Sequence, residues 1–348
     1  MTTISDVAKV AGVSKSTVSS VFSKKRPISK EVSERVLQAA KELGYKPNYW
    51  ARTLATKETR ILGLNMKAEN VKFSHFHLSL INGVLHECNS TGYQLLINTL
   101  SQQFQEELQN QVSSPVDGEI LMDPMERDNR LKPEIIKEKP IVVIGKPPKR
   151  YENAVSYVDN DNIGIAYEVT KHLLEKGHED ILFLNAPENR TVAKDREMGY
   201  RNACEDYGIK SFKHIVEFKN ELTSIEFAYS TTLKLLKENS SVTAVITDTD
   251  KMAFGVFKAA AELRVEIPND LSVISFSDNG GLTHEFSPPL SSANLNSELL
   301  GREATRLLTE LIVAKSNLVK RVVIPATIIE RGSTSRCKVF FEQNKQNF

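Results

Sequence analysis

"TISDVAKVAGVSKSTVSSVFSKKRPIS", residues 3–29, sets the architecture of one end of the chain. Ile4, Val7, Ala8 and Ala11 repeat at helical spacing, and Thr3 and Asp6 form a Thr-x-x-Asp capping pattern ahead of them. Gly12 ends that helix, because glycine enters the left-handed conformation at little cost. Ser14 is placed to cap a second helix. Its apolar stripe is only Val18, Val21 and Phe22, and its other face carries Lys15, Ser16, Ser19, Ser20 and Ser23. A third helix is expected from about Lys30 to Leu43, with Val32, Val36, Ala39, Ala40 and Leu43 on one side and Gly44 at its end. Two helices across a glycine turn with a third behind them make a helix-turn-helix domain, here residues 1–46.

The serine-rich face then has a use. Short hydroxyls and one lysine let a helix sit deep in the major groove, where Lys15 can donate to guanine and Ser16 can read a base edge or bind phosphate. Lys24, Lys25 and Arg26 suit flanking phosphates. Charge agrees. Residues 1–60 hold 12 Lys or Arg against 5 Asp or Glu, whereas the remaining 288 hold 33 against 39. A basic head on an acidic body points to one polyanion-seeking end.

From Ile61 onward, β-like runs alternate with amphipathic segments. The runs are "ILGLNM", "YQLLIN", "GEILM", "PIVVI", "DILFL", "TAVIT" and "LSVISF". Helices are expected near 76–91, 103–112, 162–177, 194–208, 222–239, 250–263 and 296–314. This is an α/β pattern of doubly wound parallel sheets. Its length and a break near Asp159 divide it into two lobes with a ligand cleft between them. The core is placed at 60–335. One lobe takes about 60–158 and 292–322, the other about 162–288 and 323–337, and a tail of 338–348 follows.

The stretch 3–48 resembles the N-terminal domain of the lactose-repressor (LacI/GalR) family of transcription regulators. The resemblance implies DNA contacts from Thr3, Ser5, Ser14, Lys15, Ser16, Thr17, Ser19, Ser20, Lys24, Lys25, Arg26 and Tyr45. Ser20 stands where most members have a guanine-reading arginine, so the usual half-site is not expected. "PNYWARTLATKETRILGL", residues 47–64, begins with the linker 47–59, and its residues 48–55 match the family's short hinge helix. Asn48, Ala51 and Leu54 there match residues that enter the minor groove when two hinges pair. Eight residues are too few for a stable helix in water, so this segment is expected to order on DNA.

The body is similar to the family's periplasmic-binding-protein-like core. "TDTDKMAFGVFKAAAELRVEIPNDLSVISFSDN" and "SPPLSSANLNSELLGREATRLL" match two of its signature stretches. "DREMGY" places Arg196 where the family's arginine grips sugar hydroxyls. Phe76, Lys146, Thr249, Asp250, Ser277 and Asp278 match other cleft positions. Thr249 and Ser277 replace an asparagine and an aspartate of the sugar pattern. "VSYVDNDN" and "VAKDREMGY" resemble more closely the maltose and maltodextrin regulators. The implied protein is a homodimeric repressor that binds palindromic double-stranded operator DNA under the control of a carbohydrate effector.

Other classes are less well served. No G-x-S-x-G, Walker A or G-x-G-x-x-G occurs, so neither catalysis nor a cofactor is expected. His75 and His77, two apart, are a poor metal pair. Three widely spaced cysteines and no basic-then-apolar leader suit the cytoplasm, and no apolar run long enough to span a membrane occurs. A solute-binding protein without a DNA role is the alternative from another class. A regulator answering to a phosphorylated partner protein is the alternative within the same one.

Overall fold

The structure, a computed structural model, describes residues 2–23, 26–46, 53, 58–66, 73–98, 115–209, 214–219, 222–238, 241–277 and 280–338. Lys24, Lys25, Asn48, Ala51, Leu54 and Asp278 lie outside these, as does the segment expected to be helical at 103–112. The chain divides into two units, Met1–Arg60 and Ile61–Phe348.

In the first unit, α1 (Ile4–Ala11), α2 (Lys15–Ser23) and α3 (Lys30–Glu42) follow the sequence pattern. Thr3 donates from its backbone N–H and its hydroxyl to Asp6 Oδ2, at 2.9 and 2.8 Å. These hydrogen bonds, the backbone one first, hold the Asp6 carboxyl below its ordinary range. Gly12 is left-handed at φ 65°, and the Val13 N–H returns to Ala8 O at 3.0 Å. Ser29 Oγ accepts from the Val32 N–H at 3.4 Å to begin α3. Val7, Val18 and Val36, one from each helix, are fully buried and meet in a small core with Ala8, Ala11, Ala39 and Ala40.

The second unit holds two six-stranded sheets. The first runs β11 (Arg321–Ile324), β5 (Ser156–Asn160), β4 (Ile141–Ile144), β3 (Gly118–Met122), β1 (Ile61–Asn65), β2 (Gln94–Asn98), all parallel. The second runs β12 (Thr327–Ile329), β10 (Ser291–Asn294), β9 (Ser272–Phe276), β8 (Ala244–Thr247), β6 (Ile181–Asn185), β7 (Ile215–Glu217). Only β12 is antiparallel to its neighbour. Both sheets reverse their winding beside the first strand, and a parallel sheet opens a crevice at the carboxyl ends of the strands at such a point.

Helices cover the sheets in close pairs. α4 (His75–Thr91) and α10 (Ser297–Ala314) pack on the first sheet, with α5 (Pro133–Glu138) on its other side. α6 (Asn162–Glu175) and α7 (Thr191–Asp206) cover one face of the second sheet, and α8 (Ser224–Lys237) and α9 (Asp250–Leu263) the other. Each pair meets at glycine. A Cβ on Gly199 would stand 2.1 Å from Ile163 O, and one on Gly255 2.4 Å from Ile225 O.

Two lobe boundaries move from where the sequence put them. β10 is bonded into the second sheet, so the chain crosses back after Asn294 and not before Ser292. β11 is bonded to β5 in the first sheet as far as Ile324, so the last crossing falls beyond 323. The reason is compositional. "SSAN" is a wholly polar and small strand except for Ala293, yet Ser291 and Ser292 are fully buried, and Ser291 Oγ accepts from the Arg331 N–H at 2.9 Å. Hydrogen bonding and not apolar alternation makes this strand.

Candidate functional site

The head presents α2. Lys15, Ser16 and Ser19 are exposed on it, and Thr17 and Ser20 half-buried. Ser14 Oγ accepts from the Thr17 N–H at 3.1 Å, so this serine is the helix cap as well as a candidate contact. It also lies 2.7 Å from Ser16 Oγ and 2.9 Å from Thr17 Oγ1, which draws three hydroxyls together at the start of the helix. Thr3 is occupied in its own cap, Ser5 is half-buried in the first turn of α1, and Arg26 is exposed. Tyr45 packs its ring against Phe22, with centroids 5.8 Å apart, so its ring belongs to the core.

In the body, a cavity of about 130 Å³ lies where the carboxyl ends of the two sheets face each other. Its deepest charged group is Arg196, 5% exposed, on α7. The guanidinium donates from Nη1 to Asp248 Oδ1 at 2.5 Å and from Nε to Asn162 Oδ1 at 3.1 Å. Its carbon sits 4.2 Å from the centroid of the Phe276 ring. A planar fork held on three sides keeps its remaining donors in one fixed direction. Asn162 extends the network, donating from Nδ2 to Asp159 Oδ1 at 3.0 Å.

Asp159 and Asp123 sit in the same cavity with opposite electrostatics. Burial pushes the Asp159 carboxyl up to about 7, and neighbouring Asp195 adds to the rise against the Asn160 N–H, Asn162 and Arg196. Burial also acts on Asp123, but the Arg190 charge, a hydrogen bond from His77 and the His77 and Arg130 charges outweigh it and hold this carboxyl well below the usual range. Arg190 Nη1 is 2.9 Å from Asp123 Oδ1, and His77 Nε2 is 3.5 Å from Asp123 Oδ2. The other His77 nitrogen lies 2.6 Å from Ser74 Oγ. Asp123 holds a left-handed backbone at φ 51°.

These pairs also close the cleft. The Asp123–Arg190 contact joins the lobes, and so do Glu126–Lys194 at 3.2 Å and Asp195–Lys146 at 3.8 Å. Backbone joins as well: the Glu126 N–H donates to Asn189 O at 3.0 Å and the Thr191 N–H to Pro124 O at 3.2 Å. At the crossing strands, buried Asn160 donates to Leu295 O at 3.0 Å and to Ile324 O at 2.9 Å. One side chain thereby ties together all three places where the chain passes between lobes.

The expected cleft residues divide. Phe76, Arg196 and Thr249 line the cavity. The hydroxyl of Thr249 accepts from the Met252 N–H at 3.2 Å as the cap of α9 and keeps its own proton to donate. Asp250 does not line the cavity. It is buried in the first turn of α9 with its Oδ1 accepting from the Lys251 N–H at 2.8 Å. Its place is taken by Asp248, two residues earlier at the end of β8. Lys146 is drawn away to Glu152, at 3.6 Å, and Asp195. Ser277 is buried one residue past Phe276, which lines the cavity in its stead. The acids and arginines that sequence reasoning passed over are Asp123, Asp159, Asp248 and Arg190. Their signal was position: Asp123 and Asp248 stand just beyond β3 and β8, Asp159 next to last in β5, and Arg190 in the loop after β6.

Residues 3–48 match the model of "Bacterial regulatory proteins, lacI family", and residues 170–334 that of a periplasmic binding protein-like domain. The transcriptional regulator MalR of Staphylococcus xylosus is 33% identical over 342 residues, covering 96% of this chain and 98% of that protein. The chain belongs to the LacI family. As a member of that family it is a DNA-binding transcriptional regulator. The regulator CelR of Thermobifida fusca is 31% identical over 95% of this chain and 98% of its own length. Among solved structures, a CelR–cellobiose complex superposes with a TM-score of 0.72 at 29% identity, over 96% of this chain and all of that one. The Lac repressor dimer bound to operator shares the fold, at TM-score 0.80 and 22% identity over 96% of this chain and 99% of that one. Among the described residues, no helix is long and apolar enough to cross a membrane.

Proposed function

We propose that this regulator represses as a homodimer on a palindromic operator, and that a neutral carbohydrate in the interlobe cleft sets its operator affinity. The observation that carries the effector class is the Asp159–Asn162–Arg196–Asp248 network at one wall of a cavity also lined by Phe76. Fixed acceptors and one planar donor fork suit adjacent hydroxyls, and an aromatic face suits a sugar ring. The arginines are matched by Asp123 and Asp248, so the site has no surplus positive charge to favour an anion. The relative solved with cellobiose supports an oligosaccharide. A maltodextrin is the first ligand to try, from the "VSYVDNDN" and "VAKDREMGY" resemblance. Calorimetry against maltose, maltotriose, cellobiose, ribose and a purine base tests this. Saturable binding of the purine and of no sugar would overturn the carbohydrate reading and leave the regulator intact.

The dimer is supported by apolar side chains left in water on the body, among them Leu78 (51% exposed), Leu85 (48%) and Phe254 (51%). One small head offers too little surface for a specific site. The full chain is therefore expected to bind a palindrome far more tightly than the segment 1–60. Its affinity is expected to fall about 10³–10⁵-fold between 50 and 200 mM salt if six to ten phosphates are met. A flat salt response, or equal affinity of the two proteins, counts against this reading.

Half-site choice is expected to rest on α2. Lys15→Ala should relax preference at one base pair by about 1–3 kcal/mol, the worth of a good base contact. Ser20→Arg should draw the selected half-site toward a guanine. Selection of binding sites from random DNA reads both, and an unchanged logo for Ser20→Arg would discard the role given to that position.

A further inference from the structure

We propose that Asp159 makes effector binding proton-linked: the empty cleft holds a proton on this carboxyl, and a carbohydrate expels it by donating hydroxyls to the carboxylate. The inference rests on the carbohydrate reading above and adds a residue and a regulating condition to it. Asp159 stands at the carboxyl end of β5, 8% exposed, and lines the cavity. Its Oδ1 accepts from Asn162. Its nearest cation is spoken for, because Arg196 gives Nη1 to Asp248 and Nε to Asn162. The other two acids have their own cations close by, Asp248 that same Arg196 and Asp123 its Arg190. Asp159 is the carboxyl left without one.

The groups around it come from several elements. Arg196 and Asp195 approach from α7, Asn162 from α6 and Asp248 from the end of β8, and Asp123, Arg190 and His77 line the same cavity. Asp195 is itself raised by burial and is only partly relieved by Lys146, 3.8 Å away. Burial first, and this second acid with it, push the Asp159 carboxyl up to about 7. A sugar hydroxyl changes the balance. Hydrogen bonds to an ionised acceptor are roughly twice as strong as those to a neutral one, so a pair of hydroxyl donors selects the carboxylate. The exchange balances: the protonated acid plus sugar gives carboxylate-bound sugar and one proton released to buffer.

Affinity must then rise with pH up to the carboxyl's own value and level off above it. Between pH 6 and 8 the expected gain is about tenfold for a group titrating near 7. The experiment is calorimetry of the full chain with maltotriose, maltose and cellobiose, at pH 6 and 8, in two buffers of different ionisation enthalpy. The parent is expected to gain affinity with pH and to release a proton on binding at pH 6. Asp159→Asn keeps an acceptor for Asn162, and is expected to bind more weakly with less than about twofold change over the same range. Asp195→Asn, which removes the neighbouring charge, should move the parent's rise to lower pH. Thermal unfolding without sugar gives a readout independent of ligand. Because the folded carboxyl titrates above its unfolded value of 3.8, stability is lost as pH rises from there toward 7. Asp159→Asn should therefore raise Tm more at pH 8 than at pH 5, with the difference vanishing only below the unfolded value of 3.8. Sugar binding that is insensitive to pH, or a tenfold rise that survives in Asp159→Asn, overturns the inference and leaves the carbohydrate reading standing. Failure of all three sugars to bind at either pH overturns the carbohydrate reading, and the inference with it.

Discussion

Arg196→Ala is expected to bind operator as the parent does and to lose its answer to effector. The head that meets DNA is a separate unit with its own core, so a change on α7 leaves its surface intact. Within the cleft the loss is large. Arg196 is the common partner of Asp248 and Asn162 and lies over Phe276. Truncating one member of a buried ion pair costs about 3–5 kcal/mol, mostly because the other charge is left unpaired. That cost falls on the fold with or without sugar; effector affinity should fall by about 10–10²-fold, the loss of a charged hydrogen bond of about 1.5–3 kcal/mol from Arg196 to the ligand. Arg196→Lys should recover only part of this, because an ammonium cannot serve Asp248, Asn162 and a ligand in one plane. The measurement is operator binding with and without maltotriose, beside calorimetry of the sugar alone. A normal response in Arg196→Ala would show that the effector sits elsewhere.

Gly301→Val is expected to unfold or precipitate the body, and Gly301→Ala to cost about 3 kcal/mol or more, beyond the usual penalty of an overpacked core. α4 and α10 cross at Gly83 and Gly301. A Cβ on Gly301 would lie 2.2 Å from Leu80 O, and one on Gly83 2.0 Å from Glu298 O. Both obstacles are backbone, so no rotamer change relieves them, and the helices must separate. Leu80, Val84, Leu300 and Ala304 would lose their packing around the crossing. Gly92→Ala is the comparison. It meets nothing within 4 Å but has φ 72°, so its cost is the left-handed strain of about 1–2 kcal/mol. Thermal unfolding of the three variants ranks them, and a Gly301→Ala as stable as the parent would contradict the close crossing.

Much of this regulator is local and therefore legible in its residues. The caps Thr3–Asp6 and Ser29, the left-handed Gly12 and the stripe of Val18, Val21 and Phe22 act within a few residues of one another. The head can be read from spacing alone for that reason. The apolar strands β1, β3, β4, β6, β8 and β9 announce themselves because parallel strands buried on both faces are runs of Val, Ile and Leu. The same rule explains what is hidden. β10 is buried through serine hydroxyls, and β7 and β12 are three-residue edges, too short to show a period.

The cleft was legible in outline and not in detail. Arg196, Phe76 and Thr249 stand in the cavity as the family resemblance implies, but the acid beside the arginine is Asp248 and not Asp250. Thr249 caps α9, so the residue before it ends the strand toward the cavity and the residue after it turns away with the helix. Nothing in "TDTD" distinguishes them until the strand's end is known. Asp159 is raised by burial first and then by Asp195, and Asn160 ties Leu295 to Ile324, across separations that no window along the chain can see. The sequence by itself determined most of the described helices and strands and the basic head, because propensity, capping and apolar periodicity are properties of neighbours. Which carboxyls share a cavity, which of them keeps a proton and where the lobes are tied were decided only in the tertiary structure. Burial and Coulomb interaction depend on distance in space, and folding brings together groups far apart in the chain.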